Sequence, residues 1–298
     1  MEPRKLLPNL VLIIVLLLAA LIWFYPATGD FRAGNPFWNG LTTFTAQFKA
    51  STIESLSDLP LTPKGTALIL VPCTQLSEQE LEELKSYVSA GGTLIIMDDY
   101  GYGNQILSHL KLKMRFAGKP LLDPIFNYRN KWFPRITDFS QSPITSSVKS
   151  IVLNHATALY NVSEAEAFAW SSSFSFLDLD GDSAWDPDEP AGPFPVAAYT
   201  KVEGGYVVVV ADPSIMINSM KVLDDNTAFI KNIVEVQGQN PKIMIDQSHL
   251  PRESLDGAKG TIAAVYALAS SPMGTLSLIT LTLTLTLIPL WWRKQKVE

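Results

Sequence analysis

The hydrophobic pattern divides the chain into two apolar ends and a mixed middle. Leu10–Tyr25 runs without a polar side chain until its terminal aromatics, and a second apolar run ends at Trp292. At ~1.5 Å rise per residue, stretches of this length as helices cross the ~30 Å hydrocarbon layer, so transmembrane helices are predicted over 9–25 and 272–292. Leu and Thr alternate from Leu281 to Leu287, which by period alone suggests a strand. Length and the flanking Trp291-Trp292-Arg293-Lys294 favour a helix, where a threonine hydroxyl can bond back to a carbonyl one turn earlier. Arg4 and Lys5 before the first span, and Arg293, Lys294 and Lys296 after the second, predict cytoplasmic tails at 1–8 and 293–298 and an extracytoplasmic 26–271. The alternative for the first stretch is a cleaved signal peptide, which would leave the same middle outside.

Between the ends, 26–59 reads as a connector packed on the domain, 60–240 as an α/β domain and 241–271 as a juxtamembrane segment. Ala67–Val71 is a short unbroken apolar run of the kind found in a buried parallel strand. Ser77-Glu-Gln-Glu80 has capping-box spacing, and Leu81, Leu84, Tyr87 and Val88 form a helical stripe that Gly91-Gly92 stops before the buried strand Thr93–Met97. Strand, crossover helix and strand make a βαβ unit. An irregular stretch follows, roughly from Leu110 to Phe176, with strands expected at Ile151–Leu153 and Ala165–Trp170. Val196–Tyr199, Gly204-Gly205 and Tyr206–Ala211 predict a hairpin into a buried strand, and Asn226–Val234 a closing helix.

Charge narrows the partners. Five of the 23 basic residues and two of the 29 acidic ones lie in the tails, leaving 18 against 27 between the spans, a net −9 that repels nucleic acid and anionic headgroups. Cys73 is the sole cysteine, so no intrachain disulfide braces the middle.

The order of motifs carries a resemblance. Leu68–Cys73, the run from Leu76 through the helix and Gly-Gly to Gly101, Gly192–Tyr199, Val209–Ile215 and Asp225–Ile230 resemble a membrane-anchored, uncharacterised branch of the class I glutamine amidotransferase-like superfamily, over about residues 35–236. The resemblance implies an archaeal or bacterial protein, often encoded near MoxR-type AAA ATPases. It also implies an amidotransferase-like (flavodoxin-like) α/β fold, a mostly parallel sheet with flanking helices and an irregular insertion. Amidotransferase chemistry needs a thiolate on a Gly-x-Cys-x-Gly turn, an activating His and an oxyanion hole. The matching turn is Met97-Asp98-Asp99-Tyr100-Gly101, with Asp99 at the nucleophile's place, so a non-catalytic domain is expected.

Candidate chemistry is confined to two places. Ligands of open parallel sheets bind outside the carboxyl ends of the strands, which here offer Asp98, Asp99, Tyr100, Asp212 and Ser214, with Asn104, Asn218 and Asn226 behind. These residues are either a relic pocket or caps of helices and turns. His109, His155 and His249 fall in no catalytic or metal-binding spacing, and Cys73 reads as a small apolar filler. The second place, Asp178–Glu189, sets side-chain oxygens at Asp178, Asp180, Asp182, Asp186 and Glu189 with the Ala184 carbonyl between, the 1, 3, 5, 7, 9, 12 spacing of a calcium loop. Ser183 stands where that loop has Gly, and a solvated acidic turn is the alternative. The function expected is a binding or scaffolding component of an envelope complex. It would contact other envelope membrane proteins and, by the resemblance, a MoxR-associated system. The alternatives are an extracytoplasmic hydrolase using the sheet-edge carboxylates, or an accessory subunit of a transport system.

Overall fold

The computed structural model describes residues 3–163 and 166–295. In chain order its principal elements are α1 (Pro3–Phe24), α2 (Thr42–Phe48), β1 (Ser51–Ile53), β2 (Thr66–Leu70), α3 (Glu78–Ser89), β3 (Thr93–Met97), α4 (Gly103–His109), β4 (Asp138–Phe139), β5 (Ala167–Trp170), β6 (Pro195–Val202), β7 (Gly205–Val210), α5 (Asn226–Val234), β8 (Lys242–Asp246), α6 (Ser254–Ser270) and α7 (Pro272–Gln295). They fall into two compact units, Thr28–Pro251 and the two ends of the chain.

The larger unit is an α/β fold on one eight-stranded sheet in the order β1-β8-β2-β3-β7-β6-β5-β4. Neighbours from β1 to β7 run parallel, and β6, β5 and β4 continue the sheet antiparallel. Register aligns Val208, Ile95, Ile69 and Ile245 in one row across four strands. None of the four is more than 1% exposed, which explains why β2 and β3 read as unbroken apolar runs. Helix α3 begins at the expected capping box: Ser77 N–H donates to Glu80 Oε2 at 2.8 Å and Glu80 N–H to Ser77 Oγ at 3.4 Å. Its apolar stripe, Leu81, Leu84, Tyr87 and Val88, is buried, and Gly91 at φ 103° ends the turn.

The sheet is wider than the expected 60–240 domain. β1 comes from the connector and β8 from the segment read as juxtamembrane, and β8 pairs on both sides, with β1 and β2. The connector packs on the unit through the fully buried Leu41 and Phe44. Of the irregular middle, Ile151–Val152 forms a two-residue ladder with Arg135–Ile136, and the expected 165–170 strand begins at Ala167, residue 165 lying outside the described set.

The terminal unit is helical. The Leu/Thr alternation is α-helix, and Thr280, Thr282, Thr284 and Thr286 each donate Oγ1–H to the carbonyl four residues earlier at 2.7–2.9 Å. Among the described residues no single helix is long and apolar enough to cross a membrane. The α6–α7 pair, bent by 77°, meets length and composition together, and Leu10–Phe24 is a shorter apolar helix.

Candidate functional site

The carboxyl end of β3 delivers Asp98 and Asp99, and that of neighbouring β7 delivers Asp212. Asp98 is 3% exposed and accepts N–H from Gly101 and Gly103, both at 2.7 Å, one on each oxygen. A Cβ at Gly101 would sit 2.4 Å from the Pro72 carbonyl and one at Gly103 2.6 Å from Asp98 Oδ2, so this turn requires glycine at both positions. Asp212 is fully buried and accepts N–H from Asn154 and Ser214, each at 2.7 Å. Burial pushes the Asp98 carboxyl up to about 6 and that of Asp212 up to about 8, the backbone amides holding both lower than burial alone would.

Asp99 is the less constrained member. Its Oδ1 accepts the Tyr100 N–H at 2.7 Å, and burial raises its pKa while His155 works against the rise. Tyr100 donates its hydroxyl to the His155 carbonyl at 2.7 Å, and the His155 ring stacks on Trp132 at 4.6 Å. Among the described residues no histidine is hydrogen-bonded to Asp98, Asp99 or Asp212. Burial, then Asp99, Asp98 and Asp30, push the Cys73 thiol up to about 12, which disfavours its thiolate form.

Asn104, Asn218 and Asn226 do not join this edge. Asn104 bonds both ways to the Phe116 backbone, at 2.9 and 2.8 Å. Asn218 accepts from Thr43 N–H at 2.9 Å and donates to the Phe37 carbonyl at 2.6 Å, fastening the connector. Asn226 is fully buried and bonds the Val152 N–H, the Val152 carbonyl and the Met220 carbonyl, each at 2.9 Å.

Sequence reasoning passed over His249. It follows β8, is 3% exposed, and lies with Nδ1 2.9 Å from Asp246 Oδ2 and Nε2 3.4 Å from Glu80 Oε1. Burial works to lower its pKa, but the Asp246 hydrogen bond and the charges of Asp246 and Glu80 outweigh this and leave it raised. Ser248 Oγ is 3.0 Å from the same Nδ1, so the serine and Asp246 meet one nitrogen, whereas a catalytic triad needs them on opposite ones. The Asp246-x-x-His249 spacing is the signal that could have found the pair.

In the acidic loop Asp178 is 1% exposed and accepts N–H from Gly181 at 2.7 Å and from Ser183 at 3.1 Å. Ser183, at the loop's sixth position, adopts φ 65°, the left-handed conformation that glycine supplies in calcium loops. Asp178, Asp180 and Asp182 bring carboxylate oxygens within 4.8 Å of one another, a set that could hold a metal ion. Glu189 turns to the loop's own backbone, accepting Leu179 N–H at 2.6 Å and Asp186 N–H at 3.3 Å. Lost hydration, then the charges of Asp182, Asp180, Glu189 and Asp188, raise the pKa of Asp186. Two lysines brace the loop, Lys119 on the Leu179 carbonyl at 2.9 Å and Lys131 on that of Ser183.

The sequence profile of a domain of unknown function, DUF4350, matches residues 39–234. The chain belongs to the DUF4350 family. No curated protein matches it significantly. Among solved structures, this DUF4350 chain is similar to the mmIFT52 N-terminal domain at 14% identity over 59% of its own length and 74% of that chain, with a TM-score of 0.43. It is likewise similar to the cytoplasmic protein STM1381 from Salmonella typhimurium LT2, at 13% identity over 64% and 79%, with a TM-score of 0.40. A beta-galactosidase from Bacillus circulans is 14% identical over 59% of this chain, which spans only 23% of that enzyme, with a TM-score of 0.37.

Proposed function

We propose that this DUF4350 protein is a membrane-anchored, non-catalytic binding or scaffolding component of an envelope complex. Its amidotransferase-like unit stands on the extracytoplasmic side, with both termini cytoplasmic. The observation that carries the reading is the turn after β3, where an amidotransferase would hold its thiol: Asp99 occupies the place, and Asp98 beside it is closed onto two backbone amides. Such a turn carries no thiol, and two amides that could face an oxyanion, those of Gly101 and Gly103, are spent on Asp98. The full-length protein in lipid nanodiscs is expected to hydrolyse neither glutamine nor simple esters above buffer. Turnover that disappears in Asp99→Ala or Cys73→Ala would overturn the reading. The rival hydrolase has one observation in its favour, the less constrained Asp99 with His155 acting on it electrostatically, and the same assay decides it.

The anchoring rests on the apolar Leu10–Phe24 and on the α6–α7 pair. A membrane-impermeant thiol reagent applied to intact cells is expected to label Leu61→Cys and not Lys294→Cys, in a Cys73→Ala background. Labelling at both would sink the two-span topology. Lateral contact of the spans with other envelope membrane proteins would be the link to a MoxR-type ATPase system or a transporter. In the acidic loop, Asp178, Asp180 and Asp182 would hold calcium, with the Ala184 carbonyl and Asp186 completing an oxygen set suited to that hard cation. A bound ion would neutralise the crowded carboxylates and order the chain leading to β6.

A further inference from the structure

Beside α3 the larger unit carries a groove of about 480 Å³ between the 56–61 segment and one face of the helix. Its floor is apolar, made by Leu56, Leu59 and the ring of Tyr87, of which Leu56 is 1% and Tyr87 3% exposed. At its lip Leu61 is 97% exposed, the highest value among the exposed large hydrophobic side chains of the described residues. Single exposed leucines are ordinary on protein surfaces. This one stands over an open apolar groove, and the opposite wall is acidic, formed by Glu82 and Glu83.

The groove is also held in shape before anything enters it. Ser55 caps the turn at Leu56–Asp58, and Pro60 and Pro63 bracket Leu61. Thr66 then fastens the segment, donating N–H and Oγ1–H to the Pro63 carbonyl at 2.9 and 2.6 Å while its Oγ1 lies 2.8 Å from the Tyr87 hydroxyl. A preformed site loses less conformational entropy on binding. On the wall, Glu82 already has Lys85 at 2.9 Å and His109 at 3.0 Å, whereas among the described residues Glu83 accepts the Gln79 side-chain amide at 2.9 Å and meets no cation. Glu83 is therefore the carboxylate with more capacity for a new cation.

We propose that this groove is the docking surface for a basic amphipathic segment of a partner protein. An apolar side chain of that segment packs against Leu59, Leu61 and Tyr87, and a Lys or Arg one turn away meets Glu83 and Glu82. The inference rests on the reading of the protein as a binding component and names the surface that does the binding. The acidic wall selects the occupant, since an anionic segment or an anionic lipid surface would meet like charge.

The test uses the full chain in nanodiscs of zwitterionic lipid, with empty nanodiscs as the blank. The probe is a fluorescein-labelled 14-residue helical peptide of Leu, Ala and Lys, beside the same peptide with Glu for every Lys. The Lys peptide is expected to bind, to lose about tenfold in affinity on Leu61→Asp, and to lose about fivefold on the double change Glu82→Lys with Glu83→Lys. That double variant should in turn gain affinity for the Glu peptide. Asp138→Lys on β4, an exposed carboxylate elsewhere on the same unit, should change binding less than about twofold. Equal losses from Asp138→Lys and from the groove pair, with Leu61→Asp indifferent, would mean that the peptide reads net charge alone and would overturn the proposal. So would absence of binding. Self-association of the chain that Leu61→Asp abolishes would assign the groove to a second copy and overturn the basic partner. None of these outcomes bears on turnover, so failure here and failure of the non-catalytic reading are separable.

Discussion

The carboxyl edge of the sheet and the outer face of α3 are opposites in how they treat polar groups. At the edge, Asp98 and Asp212 are buried and each has both oxygens engaged by backbone amides. Along α3, Glu83 is bonded among the described residues to the neighbouring Gln79 side-chain amide, and Leu61 of the groove is 97% exposed. In an open α/β sheet the edge is the usual place for ligands. Here Asp98 and Asp212 are saturated by their own chain, Asp99 less so, and an open groove lies on a flank. Position in a fold therefore identifies where a site could be, whereas hydrogen-bond saturation tells whether it is free to act.

The largest effect that separates the two regions is stability. Asp212→Ala would strand the amides of Asn154 and Ser214 in a fully buried place and is expected to cost about 2–5 kcal/mol in denaturant unfolding. Leu61→Asp should stay within about 0.5 kcal/mol. Similar costs for both would erase the distinction. The same carboxyl sets a pH dependence. With its folded pKa raised to about 8, Asp212 contributes stability that is fully present below its unfolded pKa of ~3.9 and is lost as pH rises through about 8. His249, also raised, acts in the same direction above its ordinary value. Asp212→Asn should accordingly flatten the decline in stability between about pH 4 and pH 8, and an unchanged slope would remove Asp212 as its source.

A smaller effect is expected from the acidic loop. With an affinity of ~10⁻⁴–10⁻³ M, 10 mM calcium would stabilise the protein by about 1.4–2.7 kcal/mol through preferential binding to the folded state. The rise in melting temperature should vanish in Asp180→Ala. A melt indifferent to both calcium and the substitution would leave 178–189 a charged turn.

How much of this could be read from the chain follows from the range of the interactions. Short-range signals were legible: the Ser77–Glu80 capping box, the apolar runs of β2 and β3, and the grouping of the Asp178, Asp180 and Asp182 carboxylates all depend on neighbours within a dozen residues. The turn after β3 could be placed from the same pattern, since the apolar run of that strand stops at Asp98. Missing were the contributions that only pairing creates. β1 is three residues long and β8 stands beyond what reads as the closing helix, and their mutual pairing brings positions nearly 200 residues apart together. His249 looked solitary because Glu80, one of its two carboxylates, arrives from α3. Asn104, Asn218 and Asn226, grouped by sequence as a polar cluster behind the edge, each turn to a different stretch of backbone. A residue's type suggested a ligand; its backbone partners, invisible in one dimension, supplied a structural role.

The contrast between the closed edge and the open flank is tested most directly by placing a photoreactive benzoylphenylalanine in the full-length protein in intact membranes, in place of Leu61 in one variant and of Tyr100 in another. The account predicts protein adducts from the Leu61 position, lost when Glu82 and Glu83 are both changed to Lys, and none from the Tyr100 position. Adducts from Tyr100 with none from Leu61 would contradict it.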